Sequence, residues 1–264
     1  MTIVAIALFG FFLGMRHATD PDHVIAVTTI VSRHGSVRRA AAIGIVWGLG
    51  HTLTITVVGG AIILFDLVIS VRVGLSMEFA VALMLIALGV VSFSSALRST
   101  TRSAGEIQAL GAYSHPRRHD DDRHAHPNIE DGRQPAHAEP ADPWLDRKLG
   151  RKTFYATLRP LVVGIVHGLA GSAAVALLVL TTVHSAGAAL AYLLVFGLGT
   201  IVGMMLITAT VSVPFAFASR RLRRLNGFLG IAAALVSLLF GFFLAYRVGV
   251  VQGLFSQHPI WTPG

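Results

Sequence analysis

Residues 17–23 read His17-Ala-Thr-Asp20-Pro21-Asp22-His23, and they lie inside an apolar run that extends from residue 2 to residue 31. Two imidazoles and two carboxylates within seven residues make a nitrogen-and-oxygen donor set suited to a divalent transition metal. In hydrocarbon each aspartate costs about 2.5–3.5 kcal/mol on insertion scales, so a polar cluster at membrane depth counts as a functional site by default. The other reading, a connector between two core helices of a soluble protein, is outweighed by the rest of the chain.

The 264 residues are 54% hydrophobic and 13% charged, with a mean hydropathy of +0.69. Soluble domains carry roughly 25% charged residues. Apolar runs cover 2–31, 40–65, 74–97, 158–183, 186–218 and 225–249. Each has the roughly 20 residues that cross a bilayer. The net charge of +8 comes from 21 Lys+Arg against 13 Asp+Glu, and these bases flank the apolar runs. They therefore point to the lipid bilayer and not to nucleic acid. There is no cysteine, which excludes disulfides and thiolate metal sites. The first run lacks a basic leader and carries the His/Asp cluster, so it reads as part of the mature chain.

Arginine sets an orientation. Arg33, Arg38 and Arg39 follow the first run, Arg98 and Arg102 the third, and Arg220, Arg221, Arg223 and Arg224 the fifth, while Arg151, Lys152 and Arg159 precede the fourth. The other connections hold only Arg72 and, near the last exit, Arg247. By the positive-inside rule this alternation predicts a multi-pass protein of the cell membrane with six spans and both termini outside.

The chain also repeats itself at an offset of about 150. Gly14-x-x-His17 matches Gly164-x-x-His167, His34 matches His184, and Trp47-Gly-Leu-Gly50 matches Phe196-Gly-Leu-Gly199. Arg72 pairs with Arg224 and Gly89 with Gly241. Two halves of three spans each have opposite orientations, which is the inverted-repeat plan of secondary transporters, with substrate at the repeat interface near the midplane. The predicted fold is thus all-α, six transmembrane helices as two inverted three-helix repeats: 1–97, then a cytoplasmic loop 98–157, then 158–249, and a short external tail 250–264. The loop is polar and rich in Pro, Arg and Asp, so disorder is expected there. It carries His115, His119, His124 and His126 around Asp120-Asp121-Asp122, a weak metal-binding tract diluted by Arg117, Arg118 and Arg123.

On an ideal helix of 3.6 residues per turn His17, Asp20 and His23 fall within about 120° of one another, and Asp22 points away. Pro21 changes this, because it cannot donate to the carbonyl of His17 and bends or opens the turn. The sequence leaves open whether Asp20 or Asp22 is the ligand. His51 in the second run and His167 in the fourth lie near mid-depth, each in a glycine-rich setting: Gly48-Leu-Gly50-His51-Thr52 and Gly164-Ile-Val-His167-Gly168-Leu-Ala-Gly171-Ser172. The candidate metal residues are therefore His17, Asp20, Asp22, His23, His51 and His167, with Pro21, Thr52 and Ser172 in support. Asp66 and Glu78 read as rim charges. Donors without sulfur suit Ni²⁺, Co²⁺, Zn²⁺ or Mn²⁺ and argue against Cu⁺.

The string Arg16-His17-Ala-Thr-Asp20-Pro21-Asp22-His23 resembles the His-x4-Asp-His signature of the nickel/cobalt permease family, and Leu49-Gly50-His51-Thr52 looks like that family's second helix motif. The resemblance covers most of residues 11–60 and is similar to a divergent branch labelled high-affinity nickel-transport or urease-accessory-like. It implies a secondary permease that takes up Ni²⁺ or Co²⁺, with His17, Asp22 and His23 essential and His51 supporting. Typical members have eight spans against the six read here. His167-Gly-Leu-Ala-Gly-Ser172 also stands where an Asp-containing motif is expected.

No Gly-x4-Gly-Lys-Ser/Thr phosphate loop occurs, so ATP hydrolysis by this chain is not expected. The leading expectation is a non-enzymatic importer of a divalent transition metal, with no cofactor beyond the transported ion. An intracellular metallochaperone is a candidate partner. Efflux of nickel or cobalt is the alternative within transport. An intramembrane metalloenzyme is the alternative of another class, though no His-Glu-x-x-His pair is present.

Overall fold

Proline chemistry decides the first feature of the computed structural model: the first apolar run is two helices, not one. Helix α1 (Ile3–His17) ends in a turn where the amide of Asp20 donates to the carbonyl of His17 (3.1 Å). Helix α2 (Pro21–Val31) starts with Pro21 in its first turn, and Asp20 is its N-cap with ψ 143°. A proline ring holds the preceding residue extended and is itself tolerated where a helix begins.

The structure describes residues 3–32, 36–65, 67, 69–112, 158–170, 185–221 and 223–260, with the backbone alone for 3–6, 98–112, 220–221 and 223–226. No strand occurs among them. After α2 come α3 (Val37–Phe65), α4 (Val71–Ala112), α5 (Leu158–Ala170), α6 (Ala186–Arg221) and α7 (Arg223–Tyr246), the last continued by a wide turn over Arg247–Val251. Four segments are long and apolar enough to cross a bilayer: Val37–Phe65, Val71–Leu97, Ala186–Ser219 and Gly227–Val251. Helices α2 and α5 are apolar but shorter.

One expectation is corrected. The loop predicted from residue 98 does not begin there, because α4 runs on as helix to Ala112. Residues 98–112 hold Ala, Arg, Glu, Gln and Leu beside Ser, Thr and two Gly, and no proline occurs before Pro116, so nothing in the chain forces the backbone ladder to stop where the apolar part ends.

Without a hydrophobic drive between helices in lipid, association relies on close backbone approach at small residues. Here glycines provide it. A Cβ on Gly14 of α1 would overlap the carbonyl of Phe196 in α6, and one on Gly164 of α5 would overlap the carbonyl of Trp47 in α3. Gly199 of α6 meets Phe11 in return, and Gly50 of α3 meets Leu161. Between α4 and α7, Gly89 faces Leu238 and Gly241 faces Ile86. Side-chain hydroxyls add hydrogen bonds across the same seams: Thr54 Oγ1 to the carbonyl of Ile165 (3.1 Å), Thr52 Oγ1 to that of Gly197 (3.1 Å) and Ser237 Oγ to that of Leu85 (2.8 Å). Trp47, Phe196, Leu85 and Met204 fill the buried interior, while Phe12, Leu198, Leu239 and Phe243 are exposed on outer faces that suit lipid.

After Val251 the chain turns at Gly253, whose φ of 71° suits a residue without a Cβ, and the amide of Ile260 donates to the carbonyl of Gln252 (2.9 Å). Phe255 meets Phe79 of α4 edge-on (5.5 Å between centroids), and Arg72 Nη2 reaches the carbonyl of Ser256 (3.5 Å). The end of the described chain is thereby fastened to the start of α4.

Candidate metal centre

The break before Pro21 places His17 at the end of one helix, Asp20 between, and Asp22 and His23 in the first turn of the next. The ladder leaves this turn open, so the side chains around it can converge. His51 comes from α3, one turn before a π-helical turn over Ile55–Gly59, a local widening often found at functional sites. His167 comes from α5.

Two donor groups result, in each of which one ligand atom per residue lies within 4.8 Å of the others: His17, His23 and His51, and Asp22, His23 and His167. His23 belongs to both. Its ring lies 4.8 Å from that of His17, 5.1 Å from His51 and 4.0 Å from His167, centroid to centroid. His23, His51 and His167 are 2%, 0% and 1% exposed, so these are dry imidazoles and not surface ones.

The polar contacts are specific. Nε2 of His17 stands 3.2 Å from Nε2 of His51. A carboxylate only accepts, so the ring nitrogens beside it donate: His17 Nδ1–H to Asp20 Oδ2 (2.8 Å), His23 Nδ1–H to Asp22 Oδ1 (3.1 Å) and His167 Nε2–H to Asp22 Oδ2 (2.8 Å). Nε2 of His23, Nδ1 of His51 and Nδ1 of His167 are buried with no partner among the described residues. A buried polar atom left unpaired is costly and calls for an explanation such as an ion.

Five of the six candidate metal residues, His17, Asp22, His23, His51 and His167, fall in the two donor groups, and Asp20 lies beside them on His17. Asp20 and Asp22 both face histidines, which the choice between them did not anticipate. Thr52 is one residue from the cluster and locks α3 to α6 through Gly197. Ser172, the loop residues His115, His119, His124 and His126, and also Asp66, His34 and His184 lie outside the described residues. Glu78 sits in α4, outside both donor groups. Two aromatic walls escaped the sequence reading. Trp47 stacks near His23 (6.0 Å, 21° between planes), and Phe196 lies 5.5 Å from His17. The signal for Trp47 was its position one helical turn before His51.

Apolar helices long enough to span a bilayer, around a cluster of buried imidazoles and partly exposed carboxylates, define a membrane protein, helical among its described residues, with a candidate metal centre. Over 254 residues, 96% of this chain and 96% of the relative, the sequence is 35% identical to the urease accessory protein UreH of Bacillus sp. (strain TB-90). The chain belongs to the UreH family of urease accessory proteins. No family model and no solved structure matches it. The relative is named as an accessory protein and not as an enzyme, in keeping with the expectation of a non-enzymatic role.

Proposed function

We propose that the chain is a secondary importer of a divalent transition metal, Ni²⁺ or Co²⁺, and that the cation passes through the His17–His23–His51–Asp22–His167 cluster, with Asp20 beside it, near the membrane midplane. The observation that carries this reading is the convergence of His17, His23 and His51, one ligand nitrogen of each within 4.8 Å of the others, with Nε2 of His23 buried and without a partner among the described residues. Two nitrogens about 2.1 Å from one tetrahedral ion stand about 3.4 Å from each other, close to the 3.2 Å between Nε2 of His17 and Nε2 of His51. A relative named for accessory work to an enzyme fits a chain that delivers a metal. The transported ion is the substrate, and no resident cofactor is proposed.

Six spans are proposed, with α1 and α2 as one broken span and two inverted halves meeting at the cluster. The reciprocal glycine contacts support the repeat. Gly14 on Phe196 and Gly164 on Trp47 are the same contact shifted by about 150 residues, as are Gly199 on Phe11 and Gly50 on Leu161. A broken helix lining a cavity is where a membrane protein can leave backbone groups open. The membrane potential, worth about 2.3 kcal/mol per charge per 100 mV, favours a divalent cation moving inward.

The test is accumulation of radioactive nickel by cells expressing the chain. Accumulation above the vector control, competed by Co²⁺, is the expected result. Accumulation below the control would make the chain an exporter, and equality with it would end the transport reading.

Topology is tested separately. The chain has no native cysteine, so single cysteines at Ser36, Ser185, Ser219 and Ser256 give clean reports. An impermeant thiol reagent on intact cells is expected to label positions 185 and 256 and to spare 36 and 219. The reverse pattern would invert the orientation. Fastening of the 252–260 segment to the Arg72 end of α4 supports placing both on the same side.

A further inference from the structure

We infer that Asp20 and Asp22 stand outside the cation's inner shell, as positioning residues that turn the rings of His17 and His23 so that three imidazole nitrogens, from His17, His23 and His51, take the ion. The inference rests on the transport reading of this cluster and deepens it.

A neutral imidazole has one N–H and one lone pair. With Nδ1–H of His17 donated to Asp20, its lone pair is on Nε2, which accepts from Nε2–H of His51 at 3.2 Å when no ion stands between them. With Nδ1–H of His23 donated to Asp22, its lone pair is on Nε2, buried and without a partner among the described residues. Both rings are therefore fixed in the form that offers Nε2 to an ion. Metal-binding histidines regularly donate the opposite N–H to a carboxylate in this way, which sets the tautomer and raises the basicity of the ligating nitrogen.

Asp20 shows the diversion directly. It occupies the N-cap of α2, where an aspartate ordinarily accepts from the helix's first amides, yet its side chain makes no capping bond. Its carboxylate goes to His17 instead, at 2.8 Å. Asp22 is fully engaged too: Oδ1 takes His23 and Oδ2 takes His167. His167 thus braces from α5 the carboxylate that aims His23. An inner shell of three imidazoles favours Ni²⁺, Co²⁺ and Zn²⁺ over Mg²⁺ and Ca²⁺, which prefer oxygen. The rival arrangement is the second donor group, in which Asp22 would itself bind the ion beside His23 and His167.

The experiment is titration of the purified full-length chain with Co²⁺, read by visible absorption, since the d–d bands report the donor atoms. Asp20→Asn keeps an acceptor for His17 and is expected to bind about threefold more weakly than wild type; Asp20→Ala and Asp22→Asn are expected to bind about 10–100-fold more weakly. In all three, the bands at saturation should match those of the wild-type protein. His51→Gln, which removes an inner nitrogen, should shift them. Millimolar Mg²⁺ should not displace Co²⁺. Altered bands in Asp20→Asn or Asp22→Asn would put a carboxylate in the inner shell and overturn the inference. Wild-type affinity in Asp20→Ala would remove its positioning role. Absence of any Co²⁺ binding to the wild-type protein would instead defeat the transport reading itself, before any variant is compared.

Discussion

His23→Ala is expected to bring nickel accumulation down to the vector level, a fall of at least about a hundredfold in initial rate, beyond the 10–100-fold typical of outer-shell losses. His23 is shared by both donor groups, so its loss leaves neither complete. It also removes a ring packed 4.0 Å from His167 and stacked near Trp47. Protein in the membrane should be comparable to wild type, as judged by immunoblot of membrane fractions. His258→Ala, on an exposed imidazole beyond α7, is the matched control and should transport normally. More than half of wild-type uptake in His23→Ala would show that the ion does not pass this residue.

The second large effect concerns folding. Gly164→Val should lose most of the folded protein, with the monodisperse fraction on gel filtration falling at least about fivefold, since overpacking costs typically 1–3 kcal/mol and more where backbone is the obstacle. The added Cβ would overlap the carbonyl of Trp47 and press on the amide of His51. Neither is a side chain that can rotate away, so α5 has to shift along α3. Any protein that survives should bind Co²⁺ poorly, because that shift moves His167 and His51 relative to each other. Gly187→Ala is the contrast: nothing lies within 4 Å of the new methyl group, so yield should be unchanged. Normal yield of Gly164→Val would mean that the helices do not pack this closely.

The site was readable in so far as its logic is local. Pro21 dictates a helix break from its own covalent structure, and a break is what lets Asp22 leave the far face assigned to it on an ideal helix. His51 and His167 were readable from depth and from the repeat, because a polar residue in an apolar run is rare enough to stand out. What the sequence left undecided was the division of labour between Asp20 and Asp22. That depends on which ring nitrogen each carboxylate meets, and so on the packing of α5 against α3 through Gly164 and Gly168. Trp47 and Phe196 were visible only as repeat matches, since nothing in an aromatic residue's spacing says that a histidine will lie against it. The extent of α4 was missed for a different reason. Polar composition from residue 98 onward was taken to end the helix, whereas helix propensity needs no burial to continue one.

That extension has a consequence for how far the chain reaches past the apolar part of α4. Fifteen residues, 98–112, follow the apolar part of α4, and at the helical rise they stand about 22 Å beyond it. The Debye length at physiological salt is about 8 Å, so charges at the two ends of that extension are screened from each other. A helix of that length holds Ala112 at a set distance from Leu97, where a flexible chain of the same residues would let it return.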